Sequence, residues 1–118
     1  MATGTINLSV SSKALSVTLS ATSNFEIIQS NAREIDNHAI VGAVILKCKA
    51  NWNSNDAIFS LGTTIPAYTF LLASVRAGQW DAAVTRMTMF YFNANGNINS
   101  NTNYSAGEYI TVEFNVGL

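Results

Sequence analysis

Thr85-Arg86-Met87-Thr88-Met89-Phe90-Tyr91-Phe92 runs directly into asparagine at every second position: Asn93, Asn95, Asn97, Asn99, Asn101 and Asn103. In an extended chain successive side chains point to opposite faces, so Phe90 and Phe92 lie on one side and Met87, Met89 and Tyr91 on the other. A strand that half-faces water alternates apolar with polar residues. This one is apolar on both faces, which predicts a central place in a sandwich or a contact with another subunit. Asn95-Gly96 is the dipeptide that a two-residue type I′ turn prefers, because both central positions need positive φ. The expected unit is a hairpin with a short return strand centred on Ile98 and its asparagines on a solvated rim.

Outward from this hairpin the chain reads as strand after strand. Ile6, Leu8 and Val10 alternate with polar residues, as do Leu15, Val17 and Leu19, suggesting an N-terminal hairpin behind a short lead-in at residues 1–4. Phe25 to Gln29 is a third strand. The charged run Arg33-Glu34-Ile35-Asp36-Asn37-His38 is expected to be a short exposed strand and a turn. From Ile40 to Ala50, Val44, Leu46 and Cys48 share one face, and Val41, Ala43, Ile45, Lys47 and Lys49 share the other. Ala57 to Leu61 and Thr69 to Val75 are further strands, separated by an extended Ile65-Pro66-Ala67-Tyr68. Ile110, Val112, Phe114 and Val116 alternate with Tyr109, Thr111, Glu113 and Asn115 in the cleanest one-sided pattern of the chain. Eight to ten short strands at intervals of about ten residues, with no helical periodicity, predict an all-β antiparallel sandwich or jelly roll spanning residues 5–118.

Composition narrows the function. Of 118 residues only 11% are charged while 48% are hydrophobic, a balance suited to a stiff β-protein with extensive burial, including burial between subunits. A net charge of −1 and scattered basic residues leave no footprint for nucleic acid. No apolar run approaches the roughly 20 residues that span a bilayer, and the N-terminus has no signal-peptide pattern. One cysteine and one histidine exclude an intrachain disulfide and the usual zinc sites, so neither a metal nor a cofactor is expected. Cys48, placed with Leu46 towards the core, is expected to be inert.

No catalytic constellation emerges. Ser30 or Ser60 with His38 and Asp36 lack any motif to position a nucleophile, and no pair of acidic residues shares a spacing that suggests glycosidase work. Trp52 and Trp80 are different, since each sits in a short polar loop. An indole exposed to water calls for a cover, and the C–H face of a pyranose ring supplies one while neighbouring amides and carboxylates bind its hydroxyls. Trp80, Asp81, Gln79, Arg76, Trp52 and His38 are therefore the candidate saccharide-binding residues. The competing expectation is that an indole folds back as a lid on the core or lies between subunits.

From about Ile28 to Leu118 the chain resembles the receptor-binding head domain of bacteriophage tail fibres and baseplates, of the lactococcal siphophage type. The likeness rests on the order of elements: the Val41 to Lys49 strand, the Ala57 to Leu61 strand and a proline-containing crossing at Ile65 to Tyr68. A long strand follows, then the hairpin with Asn95-Gly96-Asn97-Ile98, then a terminal strand ending in Phe114-Asn115-Val116. Of that family's leucine-proline-glycine-tyrosine-arginine-proline crossing, this chain keeps Leu61, Pro66 and Tyr68. Gly78-Gln79-Trp80-Asp81 matches the Gly-x-Trp-Asp loop before the long hairpin, and on that match Trp80 and Asp81 take a sugar-contacting role. The resemblance implies a non-catalytic homotrimer in the virion, at the tail tip or baseplate beside other tail proteins. It would be made in the host cytoplasm and recognise host cell-wall saccharide. Subunit contact is expected at Val41, Ile45, Met87, Met89, Phe90 and Tyr91. A structural baseplate, collar or capsid-decoration subunit that binds protein is the alternative.

Overall fold

A computed structural model describes residues 11–20, 24–36, 38–53, 57–63, 69–93 and 97–117. Among the described residues ten strands form: β1 (Ser12–Ala14), β2 (Val17–Leu19), β3 (Phe25–Ser30), β4 (Arg33–Ile35), β5 (Ala39–Cys48), β6 (Phe59–Leu61), β7 (Phe70–Ala77), β8 (Val84–Phe92), β9 (Asn97–Ser100) and β10 (Glu108–Gly117). Every strand pairing is antiparallel, in the order β1-β4-β5-β10-β7-β8-β9-β6-β2, with β3 also on β5. The fold is all-β and sandwich-like, as the alternation predicts.

Its sheet is curled back on itself. β1 and β2 stand at opposite ends of the strand order, yet only Leu15 and Ser16 separate them in the chain. Leu15 N–H donates to Ala32 O on the β4 side, while Ser16 O accepts from Gly62 N–H beyond β6, both at 3.0 Å. One short passage thus binds both edges, in the way a strand switches sheets at a sandwich corner. Inside the curl, Phe59 of β6 lies 6.3 Å from Phe90 of β8 and 6.4 Å from Phe114 of β10. Ile40, Val44, Leu46, Ala73, Val75, Phe92, Ile98, Ile110 and Val112 fill the rest of this core.

Several expectations change here. The Leu15 to Leu19 stretch splits between two edges, Leu15 beside β4 and Val17–Leu19 on β6, and its predicted hairpin partner, Ile6 to Val10, lies outside the described residues. The lead-in at 1–4, the crossing at Ile65 to Tyr68 and the turn residues Asn95 and Gly96 lie outside them as well. The register beside that turn is nevertheless clear. Phe92 pairs with Ile98 and Asn93 N–H donates to Asn97 O, so the connection is one residue longer than a two-residue turn. A two-residue turn would set Phe92 against Asn99 and carry asparagines into the core; burying Ile98 selects the other register. The asparagines are not all rim residues either: Asn99 is buried, and Asn93 Nδ2 donates to its Oδ1 at 2.9 Å. Glu34, expected to be exposed, is buried, with Thr63 Oγ1 at 3.2 Å and Lys13 Nζ at 3.8 Å.

β3 and β4 are one strand line along β5, interrupted at Asn31 and Ala32, because Ser30↔Val44 and Arg33↔Val41 share a register. Opposite the break, Gly42 has φ +115°, and a Cβ there would stand 2.5 Å from Asn31 O. Asn31 Oδ1 accepts the Ala43 N–H at 2.6 Å, so the two chains lock at closest approach. Gly42→Ala adds both backbone strain and a collision with backbone. It should lower stability by about 1–3 kcal/mol, read as a fall in the urea midpoint at unchanged slope.

Candidate functional site

β5 starts opposite Gly117 and ends near Tyr109, and Glu108 faces Ala77 at the end of β7. The connection from β7 to β8, residues 78–83, therefore projects from the end of the sheet where β10 begins. Hydrogen bonds brace it: Gly78 N–H donates to Gly107 O at 3.0 Å, and Gly107 N–H donates to Cys48 O at 2.8 Å. Arg76 Nε donates to Ala82 O at 2.8 Å, and its Nη1 reaches Ser74 Oγ at the same distance. Gly78 has φ +84° with open space where a Cβ would be, which lets the chain turn out of β7. On this braced loop Trp80 is 55% exposed, and Gln79 and Asp81 beside it are exposed too.

Beneath the loop the outer face of the sheet carries Arg76, Tyr109 and Lys47 side by side, since Tyr109 pairs with Lys47 on one flank and Arg76 on the other. The Lys47 ammonium stands 5.7 Å from the centre of the Tyr109 ring, a cation–π distance. Tyr109 and Lys47 were missed as site residues from sequence. Their outward parity was readable, but only the strand pairing sets them next to Arg76 and the Trp80 loop.

Trp52 has the opposite fate. It is 3% exposed and bridged to Tyr104 through two backbone hydrogen bonds of 2.9 Å. Phe25 meets it edge-on at 5.6 Å and Tyr104 lies at 6.0 Å. No face is left for a sugar, so Trp52 is a core residue. A polar network closes this end of the core. Tyr104 Oη lies 2.7 Å from both Thr88 Oγ1 and Ser100 Oγ, the Arg86 guanidinium sits 5.3 Å over its ring, and Arg86 pairs with Glu108 at 3.0 Å.

The remaining predicted residues do not converge. His38 is exposed in the turn before β5, at the Gly117 end of the sheet, about 30 Å from the Trp80 loop at roughly 3.3 Å per residue. Arg76 is held by the loop it supports. Trp80, Gln79 and Asp81 stay together.

Of the expected subunit-contact residues, Phe90 is corrected: it is fully buried and stacked 5.9 Å from Tyr104 in the core of the chain. Val41, Ile45, Met87, Met89 and Tyr91 do lie on the outer face. The most exposed apolar side chains there are ones the sequence reading passed over, Phe70 at 63% and Leu72 at 60% exposure. Their signal was the unbroken Phe70-Leu71-Leu72-Ala73, apolar at both parities. Two grooves flank Leu72. The larger, about 450 Å³, is lined by Leu72, Arg86, Met87, Thr88, Met89, Asn101 and Thr102. The smaller, about 210 Å³, runs between Phe70 and Leu72 and the outward Glu113 and Asn115. Among the described residues no cluster of three metal-ligating side chains occurs. No family model, curated protein or solved structure matches the chain.

The two indoles should separate cleanly in experiment. Trp52→Ala should cost about 3–5 kcal/mol of stability, whereas Trp80→Ala should shift it by no more than about 0.5 kcal/mol, both read by urea unfolding. Acrylamide should quench Trp80 in a Trp52→Phe variant far more than Trp52 in a Trp80→Ala variant.

Burial pushes the Cys48 thiol above its ordinary 9.0 and the Tyr104 phenol above its ordinary 10.0. Both groups therefore ionise first in the unfolded chain. Their contribution to stability is complete below about pH 9 and is lost as pH rises through the folded values. The urea midpoint should fall on that side, and the fall should begin later in Cys48→Ala.

Proposed function

We propose that this chain is a non-catalytic adhesion head of the phage receptor-binding kind, engaging a host cell-surface saccharide through the Trp80 loop as a homotrimer. The observation that carries this reading is a half-exposed indole on a hydrogen-bonded loop, with an amide and a carboxylate at its sides. An apolar ring face binds the C–H face of a pyranose, and Gln79 and Asp81 supply directional partners for its hydroxyls. The bracing by Gly78, Gly107 and Arg76 reduces the ordering that binding would otherwise require.

Shallow sites of this type bind weakly. A single site with Kd near about 1 mM contributes roughly 4 kcal/mol, and simultaneous engagement of several copies strengthens attachment by roughly 10²–10⁴. The exposed apolar face of β7 and β8 supports an assembly of copies, with the head placed at the tail tip or baseplate of a virion. A second reading, a structural baseplate, collar or decoration subunit, is favoured by one observation: two grooves flank Leu72 among exposed apolar side chains.

Light scattering and a cell-wall polysaccharide titration followed by indole fluorescence test both readings. The adhesion head gives a trimeric mass, a fluorescence response, and at least about tenfold weaker binding in Trp80→Ala without loss of folding. Absence of a response, with larger complexes forming on addition of tail proteins, favours the structural subunit.

A further inference from the structure

Three of the chain's six basic residues, Lys47, Lys49 and Arg76, lie at the end of the sheet that carries the Trp80 loop. Two of them share one row across the outer face, where the register runs Glu26, Lys47, Tyr109, Arg76 over β3, β5, β10 and β7. Neighbouring strands lie about 4.8 Å apart, so the Lys47 and Arg76 backbones stand roughly 10 Å apart with Tyr109 between them. The Lys47 ammonium, 5.7 Å from the centre of the Tyr109 ring, makes no ion pair with Glu26 on its other flank; the ion pairs among the described residues belong to Lys13 and Arg86.

Arg76 is half-buried, and its guanidinium meets only neutral acceptors. These are Ala82 O and Ser74 Oγ, each at 2.8 Å, and Thr111 Oγ1 at 3.4 Å. Among the described residues Nη2 has no acceptor. A cation drawn partly out of water is usually offset by a carboxylate. Asp81, in the loop that Arg76 braces, is exposed and pairs with neither cation. The loop and the row form one surface, because Ala82 is tied to the outward-facing Arg76 and Gly78 to Gly107 at the start of β10, with Trp80 between the two tethers.

We infer that the saccharide engaged at Trp80 is anionic, and that Lys47 and Arg76 receive its negative charge over Tyr109. The acidic group, a carboxylate or a phosphate, accepts charge-assisted hydrogen bonds from the ammonium and from Nη2 while the sugar ring covers the indole. Arg76 is already oriented and partly desolvated, which lowers what binding must spend on it. Glu26 lies one strand beyond Lys47, so the ground between the two cations is where an anion is favoured. The inference rests on the saccharide reading above and narrows it from any pyranose to an acidic one.

The test titrates the intact protein with dextran, carboxymethyl-dextran and dextran phosphate of matched length, followed by indole fluorescence and calorimetry. At least one charged polymer should bind about three- to tenfold more tightly than dextran, and which one does so identifies the acidic group. That advantage should vanish in Lys47→Gln, persist in Lys47→Arg, and persist in Arg33→Gln, which removes the same charge beside Val41 at the other end of β5. Equal binding of all three polymers overturns the charge requirement and leaves the Trp80 site standing. An equal loss in Lys47→Gln and Arg33→Gln overturns the assignment to this row. A response to none of the three overturns the inference, and the titration with cell-wall polysaccharide then decides the saccharide reading separately.

Discussion

Phe59 packs at once against Phe90 and Phe114, and this contact holds the curled sheet closed. In the strand order Phe59 is separated from Phe114 by β9, β8 and β7, so a flat sheet would keep the two rings far apart. Aromatic side chains bury large apolar areas and prefer the tilted and edge-on geometries found here. The curl brings Leu15 and Ser16 within reach of both edges and places Thr63 against Glu34. The polar seam follows from the apolar contact.

Once the inner face is closed, the outer face is sorted by what is left over. Phe90 and Phe92 are consumed by the core, and so their neighbours at odd parity, Met87, Met89 and Tyr91, stay outside with Phe70 and Leu72. Phe70, Leu72 and Met87 are the most exposed large apolar side chains among the described residues. The end of the sheet near the start of β10 has a different character. There Trp52, Phe25 and Tyr104 plug the core, whereas Trp80 is lifted out on a loop fastened to its neighbours. Two tryptophans in similar polar loops thus end as a structural plug and a surface platform.

Much of this was legible in period-two alternation. The parity of Val44, Leu46 and Cys48, the one-sided pattern from Ile110 to Val116 and the two-faced strand at Met87 to Phe92 all appear as read. Illegible features depend on which strand lies beside which. Trp52 could not be told from Trp80 locally, because both loops are polar; the Tyr104 bridge decided it. Asn95-Gly96 is a strong turn signal, yet the pull of Ile98 into the core overrode the two-residue register it implied. His38 and Trp80 look equally available in the sequence and stand at opposite ends of the sheet.

Taken by itself, the sequence determined the all-β class and the parity of the long strands. These depend on alternation and composition, which are local quantities. Tertiary structure decided which indole meets solvent and which apolar side chains stand on the outer face of β7 and β8. Those outcomes depend on pairing between residues distant in the chain. Such pairing is chosen by how the whole set of apolar side chains can be buried at once.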